Sequence, residues 1–219
     1  MSEFIVHSLP GSPFGRAVLA TLAEKEAPVR FAAVAPGGIR TEPHISRHPF
    51  GRIPVLEHGD LMLYETQAIL RYLDRVLPEP RLTPADPKAA ARMDQVMNVN
   101  DWYLFQGVGN VIGFQRVIGP KLMGLTADEA VIEAAMPKAH AVYNELSRLL
   151  GSDPYFAGEH VSLADLLVAP QIDFFVGLPE WEPLTRSNGN IVAWLERMNG
   201  RPSLQSTTWA RVREMAAAA

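Results

Sequence analysis

Cysteine is absent from this chain of 219 residues. That excludes disulfides, thiolate metal sites and any mechanism with a protein cysteine as nucleophile, and it permits a reducing compartment. Runs of like charge are missing too. The 20 Lys and Arg against 24 Asp and Glu leave a net charge of −4, with both signs spread along the chain. A nucleic-acid or anionic-membrane surface is therefore not expected as the main function. The longest apolar stretch, Val161 to Pro179, is interrupted by Asp165 and Asp173 and reads as a buried helix, not a membrane span. Met1-Ser2-Glu3 lacks the basic start and apolar core of a secretory signal, so the expectation is a cytoplasmic protein. With 47% apolar and 20% charged residues, what remains is a globular chain long enough for a real core.

Residues 1–78 alternate strand-like and helical runs. Phe4-Ile5-Val6-His7 reads as a strand, Pro13–Lys25 as a helix and Val29–Val34 as a second strand. A weak helical turn at Thr41–Arg47 precedes Ile53–Glu57 and Leu61–Leu63, joined by His58-Gly59-Asp60 with hairpin chemistry. Glu65–Leu77 is amphipathic, with Ile69, Leu70, Tyr72, Leu73 and Val76 inward. The order β-α-β-α-β-β-α predicts a mixed sheet. Pro78, Pro80, Pro84 and Pro87 then predict a stiff connector across 79–87.

From 88 to 219 the pattern is helical throughout. Lys88 to Ile118 reads as one long apolar helix containing Gly107, Gly109 and Gly113. Thr126-Ala127-Asp128-Glu129 and Ser162-Leu163-Ala164-Asp165 read as capping boxes, and the Ala216–Ala219 tail is expected to fray.

Leu9-Pro10-Gly11-Ser12-Pro13-Phe14-Gly15-Arg16 lies where the first strand hands over to the first helix. Unpaired N–H groups and about half a positive charge gather at such a terminus. Ser12, with Pro13 in the favoured first helical position, is either a plain N-cap or a hydroxyl able to donate to a thiolate or oxyanion. Glu65-Thr66 opens a second helix and has two readings as well. It caps, or Thr66 and its N–H bind a carboxylate while Glu65 takes an ammonium. An α-amino acid head carries both groups on one carbon.

Ile53-Pro54 opens a strand. A trans proline there marks a sheet edge, whereas a cis bond would turn the Ile53 backbone outward, ready to pair with an extended peptide. Arg40 and Arg52, on flanking loops, are either solvated charges or a clamp for a second carboxylate.

Three other patterns lead elsewhere. His44 and His48 stand one helical turn apart, but no third ligand accompanies them and no metal is expected. Gly107-x-Gly109-x-x-x-Gly113 misses the dinucleotide spacing and follows no strand. No G-x-S-x-G elbow surrounds Ser12, which argues against a hydrolase.

In this order the pieces resemble the glutathione transferase family, over nearly the whole chain. Leu9-Pro10-Gly11-Ser12-Pro13-x-x-Arg16 is similar to the start of the serine-type enzymes (delta, theta and phi classes), in which the serine four residues before the arginine is catalytic. His48-Pro49-Phe50-Gly51-Arg52-Ile53-Pro54 is similar to the family's N-P-x-G-x-[VI]-P segment with its cis proline. Glu65-Thr66 matches the glutamate–serine pair that holds the γ-glutamyl group, and Ser162-x-x-Asp165 the capping box of the helical domain. The departures are His48 for asparagine, Thr66 for serine, Arg52 for glutamine or lysine, and Arg40 for lysine or histidine.

The resemblance implies an α/β thioredoxin-like N-terminal domain, βαβαββα around a mixed four-stranded sheet, over residues 1–78. A proline-rich linker at 79–87 and an all-α C-terminal bundle at 88–219 would follow. It implies a homodimer that uses glutathione as co-substrate, a small hydrophobic electrophile and no metal. Ser12 would donate to the glutathione sulfur, and Ile53, beside Pro54, would pair its backbone with the cysteinyl unit. Glu65 and Thr66 would hold the γ-glutamyl head, and Arg40 and Arg52 the glycine carboxylate. The electrophile is expected between the domains, against Phe14 and the long helix from Lys88. On that helix Phe105 and Ile112 are seven apart and so share a face; otherwise they are core or dimer contacts. Two rivals stay open. One is a binding or assembly module that keeps the fold without catalysis; the other is a glutathione-dependent peroxidase or isomerase.

Overall fold

A computed structural model describes residues 3–35 and 37–218. Met1, Ser2 and Ala219, on which the readings of leader and tail partly rest, lie outside them, as does Pro36. The chain forms β1 (Phe4–Ser8), α1 (Pro13–Glu24), β2 (Val29–Ala33), α2 (His44–Arg47), β3 (Val55–His58), β4 (Leu61–Tyr64) and α3 (Thr66–Val76). Helices follow: α4 (Pro87–Val99), a π-helical stretch Asn100–Ile118, α5 (Gly119–Met123), α6 (Glu129–Leu150) and α7 (Leu163–Asp173). The last are α8 (Trp181–Thr185), α9 (Gly189–Asn199), α10 (Pro202–Ser206) and α11 (Trp209–Ala218). Two compact units result, Met1–Thr83 with Asn199–Ala219, and Pro84–Met198.

The first unit is built on a mixed four-stranded sheet of order β2-β1-β3-β4, as expected. β1 runs parallel to β2 and antiparallel to β3, and β3 antiparallel to β4. The continuous run FIVHS is buried along its whole length, as an inner strand covered on both faces should be. α1 buries Ala17, Val18, Leu19 and Leu22; α3 buries Ile69, Leu70 and Leu73. Spacings of three and four put each set on one helix face. Each large apolar side chain so buried contributes about 1.5–3 kcal/mol.

Residues 199–219 belong to this unit, whereas the sequence reading runs the helical domain on to 219. Long-range partners explain the difference. Arg16 of α1 is buried, donates from Nη2 to the Leu204 carbonyl at 3.4 Å, and lies 4.6 Å over the Trp209 ring. Glu24 receives Arg201 in a bidentate pair at 2.7 and 2.8 Å. So anchored, the expected frayed tail is helical to Ala218. The start of the connector is held too. Lys25 Nζ donates to Asp74 Oδ1 and to the Pro80 carbonyl, both at 2.6 Å. Asp74 also accepts from the Leu82 and Thr83 N–H groups at 3.0 Å. Burial works to raise the Asp74 carboxyl, but these donors hold it below its ordinary range.

In the second unit the expected single long helix divides. α4 starts on Asp86, which caps the Ala89 N–H at 2.8 Å, and gives way at Asn100 to a π-helical stretch. Its wider i→i+5 pattern still operates where the Gly119 N–H donates to the Phe114 carbonyl. α6 is capped by Asp128 and not by Thr126: Asp128 Oδ1 accepts from the Ala130 and Val131 N–H groups at 3.0 and 3.2 Å. Gln115 fixes that cap by accepting the Asp128 N–H at 2.9 Å. No helix among the described residues is long and apolar enough to cross a membrane.

The Ser162 box closes as expected, and Asp165 does more than cap. It is fully buried, and it accepts from the Ser162 N–H at 2.9 Å, Ser162 Oγ at 2.7 Å, the Phe156 N–H at 3.0 Å and Trp194 Nε1 at 2.9 Å. Burial pushes its carboxyl up, against four donors that favour the charged form. Asp165→Ala would strand those donors in the core and should destabilise the protein by about 3 kcal/mol or more. A urea midpoint lowered at unchanged slope is the expected readout; a loss below about 1 kcal/mol would contradict the account.

Candidate active site

Strand register alone gathers the residues singled out in the sequence. Ser8, the last residue of β1, pairs with Ala33, the last of β2. His7 faces Val55, the first residue of β3, and Val55 faces Tyr64, the last of β4. The segments that leave these positions therefore emerge at one end of the sheet: the Ser12 loop from β1, the Arg40 loop from β2, Ile53-Pro54 into β3 and Glu65-Thr66 out of β4. Four strands span about 15 Å at that end, which accommodates an extended tripeptide of about 10 Å.

Ser12 has extended backbone angles and caps α1, its Oγ accepting from the Gly15 N–H at 3.1 Å. Its carbonyl takes the Arg16 N–H at 3.0 Å. The plain capping reading is thus correct, and it uses only an oxygen lone pair; the hydroxyl proton stays chemically able to donate. Gly15 brings the helix this close to the sheet, since a Cβ there would overlap the Ser8 side chain. Phe14 is half-buried in the same turn.

At the second terminus the capping reading fails for Glu65. Its carboxylate makes no capping bond among the described residues, and its backbone sits at φ +70°, ψ 111°. A non-glycine residue in that region stores about 1–3 kcal/mol of strain and is a pointer to function. The side chain is exposed at the positive end of α3, while Thr66 beside it is buried.

Between the two termini the Ile53-Pro54 bond is cis, and Ile53 lies outside the β1–β3 ladder, which begins at Val55. Gly51, at φ +58°, brings the flanking loops together: a Cβ there would meet Arg40 Cγ and the Ile39 carbonyl at 3.0 Å. Arg40 thereby lies against Gly51, the residue preceding Arg52, and both arginines are exposed. His48 is buried, 4.6 Å from the Tyr64 ring. Burial holds its pKa below the ordinary value, opposed by the charge of Glu65 and assisted by His44 and Arg52. Glu65 and Arg52 thus lie within electrostatic reach of one ring. His44 Nε2–H donates to the Arg52 carbonyl at 2.7 Å.

Comparison with known proteins decides what this arrangement belongs to. The family model for the glutathione S-transferase N-terminal domain matches residues 2–75, and that for the C-terminal domain residues 111–202. Glutathione S-transferase F14 of Arabidopsis thaliana is 37% identical over 78% of this chain and 68% of its own. The chain belongs to the glutathione S-transferase family. Glutathione transferase F7 of Populus trichocarpa has a TM-score of 0.84 at 26% identity, covering 97% of this chain and 99% of that one. Glutathione S-transferase-I, whose structure holds lactoylglutathione, has a TM-score of 0.81 at 25% identity, covering 99% of each chain. The activity is accordingly glutathione transfer, in which the glutathione thiolate attacks an electrophile, and not that of a non-catalytic module.

Within this transferase the residues expected to meet the electrophile separate. Phe105 is half-buried, whereas Ile112 is fully buried and belongs to the core of the second unit. Seven residues bring side chains onto one face at 3.6 per turn, but the π-helical stretch turns more widely. Of its buried positions, Asn100, Leu104, Val108 and Ile112 recur every four, and Gly113 is buried beside the last of them. Ile112 therefore does not share a face with Phe105. Among the described residues no group of three His, Cys, Asp or Glu could hold a metal.

Gly51→Ala tests the junction of the arginine loops. The positive φ and the contact with Arg40 should cost about 1–3 kcal/mol of stability. A thermal midpoint equal to that of the native protein would show that the loops do not depend on this glycine.

Proposed function

We propose that Ser12 is the catalytic residue, and that glutathione lies along the end of the sheet from Glu65 to Arg40. A thiol of pKa about 8.5 is only a few per cent ionised at pH 7, so a shift of about two units, worth roughly 2.7 kcal/mol, is what the site must supply. A hydrogen bond to a charged acceptor contributes about 1.5–3 kcal/mol and a helix N-terminus about 0.3–1. Ser12 Oγ–H directed at the sulfur beside the α1 terminus offers both. The Ile53 backbone pairs with the cysteinyl unit. Glu65 takes the γ-glutamyl ammonium, Thr66 and its N–H the adjacent carboxylate, and Arg40 and Arg52 the glycine carboxylate.

The observation that carries this reading is the arrival of two helix N-termini and a strand entrance that precedes the β1–β3 ladder at one end of a single sheet. The chemistry of the donor set fits a tripeptide with one ammonium and two carboxylates. That a relative's structure holds lactoylglutathione supports a glutathione-shaped site in the family. The electrophile is proposed to be small and hydrophobic, with Phe14 as its contact beside Ser12. A cytoplasmic homodimer is the accompanying proposal, carried by resemblance. Conjugation is favoured over peroxidase or isomerase chemistry by the names of the relatives.

Two substitutions separate activation from binding. Ser12→Ala should lower kcat at pH 7 about tenfold or more while the calorimetric Kd for glutathione rises no more than about fivefold, as expected for a contact that matters mainly to the reacting sulfur. A turnover within twofold of the native enzyme would remove Ser12 from the chemistry. Glu65→Ala should weaken glutathione about tenfold or more, since a charge-assisted bond is lost. An unchanged Kd would end the γ-glutamyl assignment.

A further inference from the structure

We infer that His44 is a positioning residue for glutathione, acting through the peptide unit that joins Arg52 to Ile53. The inference rests on the reading that Ile53 pairs with the cysteinyl unit. α2 is a single turn of four residues. Backbone bonds carry the chain on from it as far as Gly51, with the His48 N–H on the His44 carbonyl and the Gly51 N–H on the His48 carbonyl, both at 2.9 Å, and the His44 side chain holds the next residue, Arg52. His44 is 2% exposed, and its Nε2–H donates to the Arg52 carbonyl at 2.7 Å. Nδ1 is buried without a hydrogen-bond partner among the described residues, so the contact with Arg52 is the ring's one strong bond there. A carbonyl can only accept, so the proton is on Nε2, and the tautomer is set by this contact.

The consequence for the ligand is geometric. Cis bonds among the described residues precede Pro43, Pro54 and Pro80, so the Arg52–Ile53 peptide is trans. In a planar trans peptide the carbonyl and the N–H point to opposite sides. Fixing the direction of the Arg52 carbonyl therefore fixes the direction of the Ile53 N–H, the donor assigned to glutathione. His44 also stacks on His48 at 6.5 Å, and His48 packs on Tyr64 at the end of β4. The ring that aims the Ile53 N–H is thereby braced against the strand that delivers Glu65. The His44–His48 spacing looks like half a metal site in the sequence; the fold uses it as a prop for the backbone.

The test is steady-state kinetics with glutathione varied, on His44→Leu, His44→Gln and Glu65→Ala. Leucine fills the space without a donor, whereas the glutamine amide nitrogen reaches about where Nε2 stands. His44→Leu should raise the KM for glutathione about tenfold with kcat within about twofold, and His44→Gln should return KM to within about threefold of native. If His44→Leu leaves KM unchanged while Glu65→Ala raises it, the glutathione site stands and the role of His44 is refuted. If neither variant changes KM, the site assignment fails and this inference with it. Long-range proton–nitrogen NMR of the unsubstituted enzyme gives a readout independent of any variant's folding. An Nε2–H tautomer for His44 is expected, and an Nδ1–H tautomer would overturn the proposal.

Discussion

The antiparallel pairing of β1 with β3 is the interaction on which the first unit's chemistry depends. His7 facing Val55 sets where β3 begins relative to where β1 ends, and hence that Ile53 stands level with the loop that carries Ser12. A slip of one residue would turn every β3 side chain to the opposite face of the sheet and force Val55 and Leu56, fully buried on opposite faces, into each other's packing sites. Core packing therefore specifies the register, and the register specifies the site. The apolar burial that stabilises the sheet and the assembly of the polar groups at its end are one event.

On that frame two helix termini carry complementary tasks. At α1 the cap is conventional, and Ser12 serves the helix with a lone pair while its proton is chemically available for a sulfur. At α3 the cap is given up. Glu65 takes a strained backbone conformation and leaves its carboxylate exposed, a local cost offset by the burial of Thr66, Ile69, Leu70 and Leu73 just behind it. Buried aromatic contacts around His48 and the His44 tie to Arg52 keep the intervening loop in place. Exposed polar groups are thus held by well-packed neighbours, as a preorganised site needs.

Much of this was legible in the residues, wherever the signal is local. Ser12-Pro13 announces a helix start, His58-Gly59-Asp60 a hairpin, and the Ile69–Leu73 spacing a buried face. What was not legible depends on partners far away in the chain or on backbone angles. Arg16 meets Leu204 across 188 residues and Glu24 meets Arg201 across 177, so nothing near residue 199 signals that the C-terminal helices join the first unit. Positive φ at Glu65 leaves no mark on composition. Periodicity assumes 3.6 residues per turn, so it placed Phe105 and Ile112 on one face, which the π-helical stretch forbids. The contact of His44 with the Arg52 carbonyl leaves no mark in the His44–His48 spacing.

The central claim is that this end of the sheet lowers the pKa of a bound thiol through Ser12. Ultraviolet absorbance of the thiolate, titrated against pH in the enzyme–glutathione complex, measures it directly. The account predicts a midpoint about two units below the free value of about 8.5, and a return most of the way towards that value in Ser12→Ala. A midpoint near 8.5 in the native complex, or one equally low with and without the serine hydroxyl, would contradict it.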